Sequence, residues 1–88
     1  MGQNQHSTLG AKLEAKLQKA LWRLEEVEQE LRAYEEGWGG SPLKVNPAAY
    51  THDWVMFSNI ARARSRYLYL LERRRELRER IRRMGGGA

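Results

Sequence analysis

The chain has no cysteine, only two prolines and a single phenylalanine, and all but one of its eleven acidic residues are glutamate. Without cysteine there is neither a disulfide framework nor a thiolate zinc site. No segment approaches the roughly 18 consecutive apolar residues of a membrane-spanning helix, and the opening MGQNQHSTLG lacks the apolar centre of an export signal. Met1-Gly2 is followed by His6 at the position where N-myristoylation requires Ser or Thr. These absences lead to the expectation of a cytoplasmic protein without a transmembrane segment.

Chemistry-bearing patterns are missing too. His6 and His52 are far apart, and the neighbours His52 and Asp53 cannot both point to one site from a helix. Gly39-Gly40 stands before a helical stretch but lacks the glycine-rich phosphate pattern and a preceding strand, and no nucleophile motif or metal-ligand spacing occurs. The expectation is a non-enzymatic protein with no catalytic, cofactor-binding or metal-ligating residues.

What the chain does contain is helix. With 88 residues, 41% hydrophobic and 31% charged, it reads as one helix-rich domain. Apolar positions recur at Leu13, Leu17, Ala20, Leu24, Val27, Leu31, Tyr34 and Trp38, in alternating steps of four and three. A second stripe runs Met56, Ile60, Ala63, Tyr67, Leu70, Arg74, Leu77, Ile81 and Met84, broken only by Arg74. There either the arginine stem covers the seam while the guanidinium reaches water, or the charge sets register. Between the stripes, GWGGSPLKVNP cannot hold a long helix. Gly37 is expected to close the first helix in a left-handed conformation, with Trp38 folding back near Tyr34. Asn46 and Pro47 are expected to cap and restart the second.

The predicted fold is all-α: an antiparallel, coiled-coil-like two-helix hairpin, dimerising into a four-helix bundle. Its parts are a flexible arm (1–8), helix 1 (about 9–36), a loop (37–47), helix 2 (about 48–84) and a flexible tail (85–88). A lone hairpin has no closed core, and chains this short need added support, here expected from self-association as a homo-dimer or higher homo-oligomer. Trp38-Gly39-Gly40 between two helices resembles the Trp-x-Gly turn of the small secreted helical-hairpin effectors. That resemblance covers three residues and the hairpin shape; no Tyr is followed four residues on by Asp or Glu, so no residue role is carried over from it.

Charge divides the halves. Residues 1–44 carry six Lys/Arg against seven acids, and residues 45–88 carry ten Arg against four. Glu14, Glu28, Glu30 and Glu35 flank the first stripe, and Arg64, Arg66, Arg73, Arg78 and Arg80 flank the second, which favours pairing of unlike helices. With Leu31 set level with Phe57 and Leu17 with Leu71, helix 1 would run out near Arg78 and leave the last turns of helix 2 projecting.

Three surfaces become candidates. The first is a basic surface of Arg73, Arg74, Arg75, Arg78, Arg80, Arg82 and Arg83, suited to an acidic protein surface or to nucleic acid, or otherwise only a solvated face. The second is an aromatic group at the hairpin tip, Tyr34, Trp38, Tyr50, Trp54 and Phe57, read as a small core that leaves Lys44 and His52 in solvent, or else as a stacking platform. The third is an outer apolar face of Leu21, Trp22, Leu68, Tyr69 and Leu71, read as the interface between two hairpins. The function expected from these is a binding or assembly module, an adaptor, subunit or inhibitor in a larger complex, with an origin in a phage or mobile element suggested by small size alone. The alternative is a nucleic-acid-binding protein contacting phosphates through the C-terminal helix.

Overall fold

Two long heptad stripes produce two long helices. The computed structural model describes the backbone of residues 2–85 and the side chains of residues 10–85. Helix α1 spans Gly2–Trp38 and helix α2 spans Trp54–Arg83, and two one-turn 3₁₀ helices, Pro42–Lys44 and Pro47–Tyr50, connect them. The helices run antiparallel, as an all-helical hairpin. The backbone is helical from Gly2, through the residues expected to form an arm at 1–8, and no proline interrupts that stretch. Of the expected tail 85–88, only Gly85 lies within the described residues, and Met1 lies outside them.

The break between the helices is built differently from the expectation. α1 continues through Gly37 and Trp38, and the left-handed residue that closes it is Gly39, at φ 67°. The Gly40 amide then donates to the Glu35 carbonyl at 2.7 Å, the six-to-one bond of a Schellman closure. Gly37 is two residues too early to take that position. Asn46 does act as a cap, accepting from the Ala48 amide at 3.0 Å with Pro47 at the first helical position, but the element it caps is a single 3₁₀ turn. The long helix starts seven residues later, where Asp53 accepts from the Met56 amide at 3.1 Å. Ser41 caps the first short turn in the same way, accepting from Leu43 at 3.2 Å.

These two turns carry the connection back along α2. Both contact α2, and the half-buried Arg64 guanidinium donates from Nη1 to the carbonyls of Leu43 (2.7 Å) and Val45 (2.8 Å). The first turns of α2 therefore pack against the connection, and α1 meets α2 only further along. Tyr67 faces Tyr34 and Glu35, Glu30 pairs with Arg66, Glu28 with Arg78, and Leu17 and Met84 line one shallow depression. This register differs from the expected pairing of Leu31 with Phe57 by about three helical turns. It reverses the expected overhang: Ile81 is buried near the end of α2, and it is α1 that projects, with Leu13 on the seam side yet 57% exposed.

Along the overlap the stripes behave as seams. Leu31, Tyr67 and Leu70 form the centre of the core, with Val27, Tyr34, Leu43 and Leu71 against them, and Ala20, Ile60, Ala63, Leu77 and Ile81 are buried as well. Met56, at the far end of the second stripe, is 37% exposed because α1 has already ended. Arg74 is half-buried on the seam with no carboxylate at ion-pair distance among the described residues.

The register is testable by truncation. Leu77→Ala, at a fully enclosed site, should cost about 2–5 kcal/mol, whereas Leu13→Ala should stay within about 0.5 kcal/mol, both read by urea denaturation. Arg64→Met, which strands two carbonyls, should cost about 1.5–3 kcal/mol. Equal losses at Leu13 and Leu77 would sink this register.

Candidate functional site

Because a helix repeats its face about every seven residues, one bridging ion pair labels a whole side of the hairpin. Among the described residues two such pairs exist, and they mark opposite flanks. On one flank Arg66 grips Glu30 through two bonds, Nε to Oε2 at 2.6 Å and Nη2 to Oε1 at 3.1 Å. On the other, Arg78 Nη2 stands 3.7 Å from Glu28 Oε1. Leu21 lies seven residues before Glu28 and Leu71 seven before Arg78, so these leucines and the adjacent Leu68 share the Glu28–Arg78 flank. Arg23 lies seven before Glu30, and Arg73 and Arg80 lie seven and fourteen after Arg66, so these share the Glu30–Arg66 flank. A groove lined by Arg23, Glu30, Arg66, Tyr69, Arg73 and Leu77 runs along the latter.

The outer apolar face accordingly divides. Trp22 is 67% exposed on the side of α1 turned away from the seam, with Leu21 beside it. Leu68 is also exposed, but Leu71 is half-buried against the central core and serves the hairpin itself. Tyr69 belongs to the opposite flank, where the Arg66 guanidinium lies 5.0 Å over its ring. The heptad position alone placed Leu68 and Tyr69 together because both face away from the seam; they do so to opposite sides.

The tip aromatics form two pairs in place of one group. Trp54 stacks on Phe57 with centroids 5.9 Å apart, yet Trp54 is 75% exposed. Tyr34 meets Tyr67 edge to face at 6.5 Å, deep in the seam. Trp38 and Tyr50 are half-buried, and Lys44 and His52 lie in solvent. The shifted register separates the pairs, since α1 has ended before α2 reaches Phe57. Tyr67, the aromatic at the centre of the core, was legible only as one seam position among many. Its hydroxyl donates to Glu35 Oε1 at 2.8 Å.

The arginines of the expected basic surface are mostly engaged. Arg73 pairs with Glu76, Arg75 with Glu72 and Glu79, Arg78 with Glu28 and Arg83 with Glu79. Arg74, Arg80 and Arg82 have no such partner among the described residues, and the end of α2 lies against α1 with no overhang of its own. A signal that sequence reading passed over lies in α1: Lys12, Lys16, Lys19 and Arg23, in steps of four, three and four, are all exposed. Among the described residues, no group of three His, Asp or Glu side chains could hold a metal ion, and no helix is long and apolar enough to cross a membrane.

Titration reflects these contacts. The hydrogen bond from Arg66, aided by its charge, holds Glu30 below the ordinary carboxylate value of 4.5 against a partial desolvation. Desolvation, then the bond to Glu35, pushes Tyr67 above the ordinary tyrosine value of 10.0. No known protein family, characterised protein or solved structure matches the chain.

Two pH dependences result. A lowered Glu30 contributes stability above its ordinary value of 4.5 that is lost as pH falls through the lower folded value. Glu30→Gln should therefore flatten the acid limb of the stability curve. A raised Tyr67 contributes stability that is complete below its ordinary value of 10.0 and lost as pH rises through the higher folded value. Tyr67→Phe should be less stable by about 1 kcal/mol at neutral pH and lack that alkaline loss. Unchanged limbs in pH-dependent urea melts would contradict both assignments.

Proposed function

We propose that the chain is a non-enzymatic assembly module whose hairpin self-associates through the face bearing Leu21, Trp22 and Leu68. The observation that carries this reading is the exposure of Trp22 on the outside of a hairpin with a very small core. The chain has a radius of gyration of 19.1 Å, where a compact fold of this length has about 12 Å. It exposes 6867 Å², where a compact monomer of its mass exposes about 5,400 Å². The excess is of the size that one partner of a stable interface buries, about 800 Å² or more.

A two-fold axis suits the arrangement. Leu21 lies level with the last turns of α2 and Leu68 level with the last turns of α1, about 18 Å apart along the hairpin by helical rise. In an isologous pair of antiparallel hairpins, the Leu21–Trp22 end of one copy faces the Leu68 end of the other, twice. The result is a four-helix bundle with the second layer of core that one hairpin lacks. Such a unit serves as a subunit or adaptor in a larger complex. The rival reading, phosphate contact through the end of α2 alone, is weakened because four of its seven arginines are paired.

Sedimentation equilibrium tests the proposal. The chain should be a dimer or larger at tens of micromolar, and Trp22→Asp combined with Leu68→Asp should yield a monomer that keeps most of its helical circular dichroism. A wild-type chain that is monomeric and cooperatively folded at that concentration would refute it.

A further inference from the structure

The net charge of +5 is spread unevenly over the hairpin. On the flank marked by Glu30 and Arg66, α1 presents Lys12, Lys16, Lys19 and Arg23, and α2 presents Arg73 and Arg80 beside them. In the antiparallel register Lys19 and Arg23 lie level with the last turns of α2, and Lys12 and Lys16 continue the row along the projecting part of α1. Lys12, Lys16, Lys19, Arg23 and Arg80 have no carboxylate at ion-pair distance among the described residues. Of the acids of this flank, Glu30 holds Arg66 and Glu76 holds Arg73, and Glu26 lines the groove beside Arg23. The Glu28–Arg78 flank has no such imbalance, since glutamates alternate there with its arginines.

We infer that this two-helix basic flank is a binding surface for the phosphodiester backbone of a nucleic acid. The geometry is that of a linear polyanion site. Lys12 to Arg23 extend about 16 Å along α1, the axial length of about five phosphates on one duplex strand. Near Arg23 the row passes across to α2 at one interhelical spacing, about 8–10 Å away, where Arg80 and then Arg73 continue it toward the tip with arginine forks suited to phosphate oxygens. Tyr69, exposed on the same flank beneath Arg66, offers a ring for a base where the strand is single. A lipid surface is the competing polyanion, because exposed Leu13 and Trp22 border the α1 row, and vesicle binding separates the two. The surface does not rest on self-association: Leu21 and Leu68 lie on the opposite flank, and only Trp22 borders Lys19 and Arg23.

Fluorescence anisotropy with a labelled 20-base-pair duplex and a labelled 20-nucleotide single strand, in 50–300 mM salt, tests the surface. With four to six phosphates contacted, log K should fall against log salt on the duplex with a slope of about −4 to −5. Lys16→Gln with Lys19→Gln should weaken binding at least tenfold at 100 mM salt and reduce the slope by about 2. Arg32→Gln with Arg82→Gln, which removes the same charge from the other flank, should change affinity less than threefold. Circular dichroism on each variant establishes that the hairpin is intact, and single Lys19→Gln, weakening binding by about a third of a decade or more, serves if the double variant loses helicity. Tighter binding of the single strand, sensitive to Tyr69→Ala, assigns the ring to base stacking and supports the same surface. No binding to either probe at 50 mM salt would overturn it. So would equal losses from the two double variants, or binding confined to phosphatidylserine vesicles.

Discussion

The register between α1 and α2 governs every surface of this hairpin, and the connection sets it. Had the chain turned directly at Gly39-Gly40, Leu31 would have met the first turns of α2. Instead two capped 3₁₀ turns lie back along α2, held by one guanidinium that satisfies the carbonyls of Leu43 and Val45. A charge-assisted bond to a backbone carbonyl contributes about 1.5–3 kcal/mol, a large share of what a domain this small has available. Arg64 thus looks like one more surface arginine in the sequence and acts as the fastener of the fold.

Seam and flanks contribute in different ways. Burial of Leu31, Ile60, Leu70 and Leu77 supplies the stabilisation, at about 1.5–3 kcal/mol for each fully enclosed aliphatic side chain. The ion pairs Glu30–Arg66 and Glu28–Arg78 are solvent-exposed and individually weak, about 0–1 kcal/mol. Their effect is selective: they favour an acidic-flanked helix against a basic-flanked one and discourage two α2 helices from pairing. The two pairs also divide the outside of the hairpin into an apolar flank and a basic one.

That division assigns the two proposals to different flanks, which adjoin at Trp22 beside Lys19 and Arg23. The apolar flank, with Trp22 and Leu68, supports the proposed contact between copies, where the single hairpin lacks core. The basic flank, with the α1 lysines beside Arg73 and Arg80, supports the proposed contact with phosphates. A dimer built on the first presents the second twice, and two weak electrostatic sites joined rigidly bind a long polyanion more tightly than either alone.

Local physics made part of this legible. The gap-free four-three spacing fixed two helices and their seam faces, because a face that recurs each seven residues needs no tertiary information. Glycine and proline fixed where the break falls, through backbone conformation alone. The caps were legible in kind but not in place: Gly39 and Asp53 carry the roles expected of Gly37 and Asn46, because a closing bond or a cap depends on where the helix actually ends. Register was not legible at all, since a heptad stripe matches its partner equally well after sliding by seven. Only the folded connection, with Arg64 closing it, chose among those alignments, and with the choice came which helix projects, which aromatics touch and which basic side chains stand together.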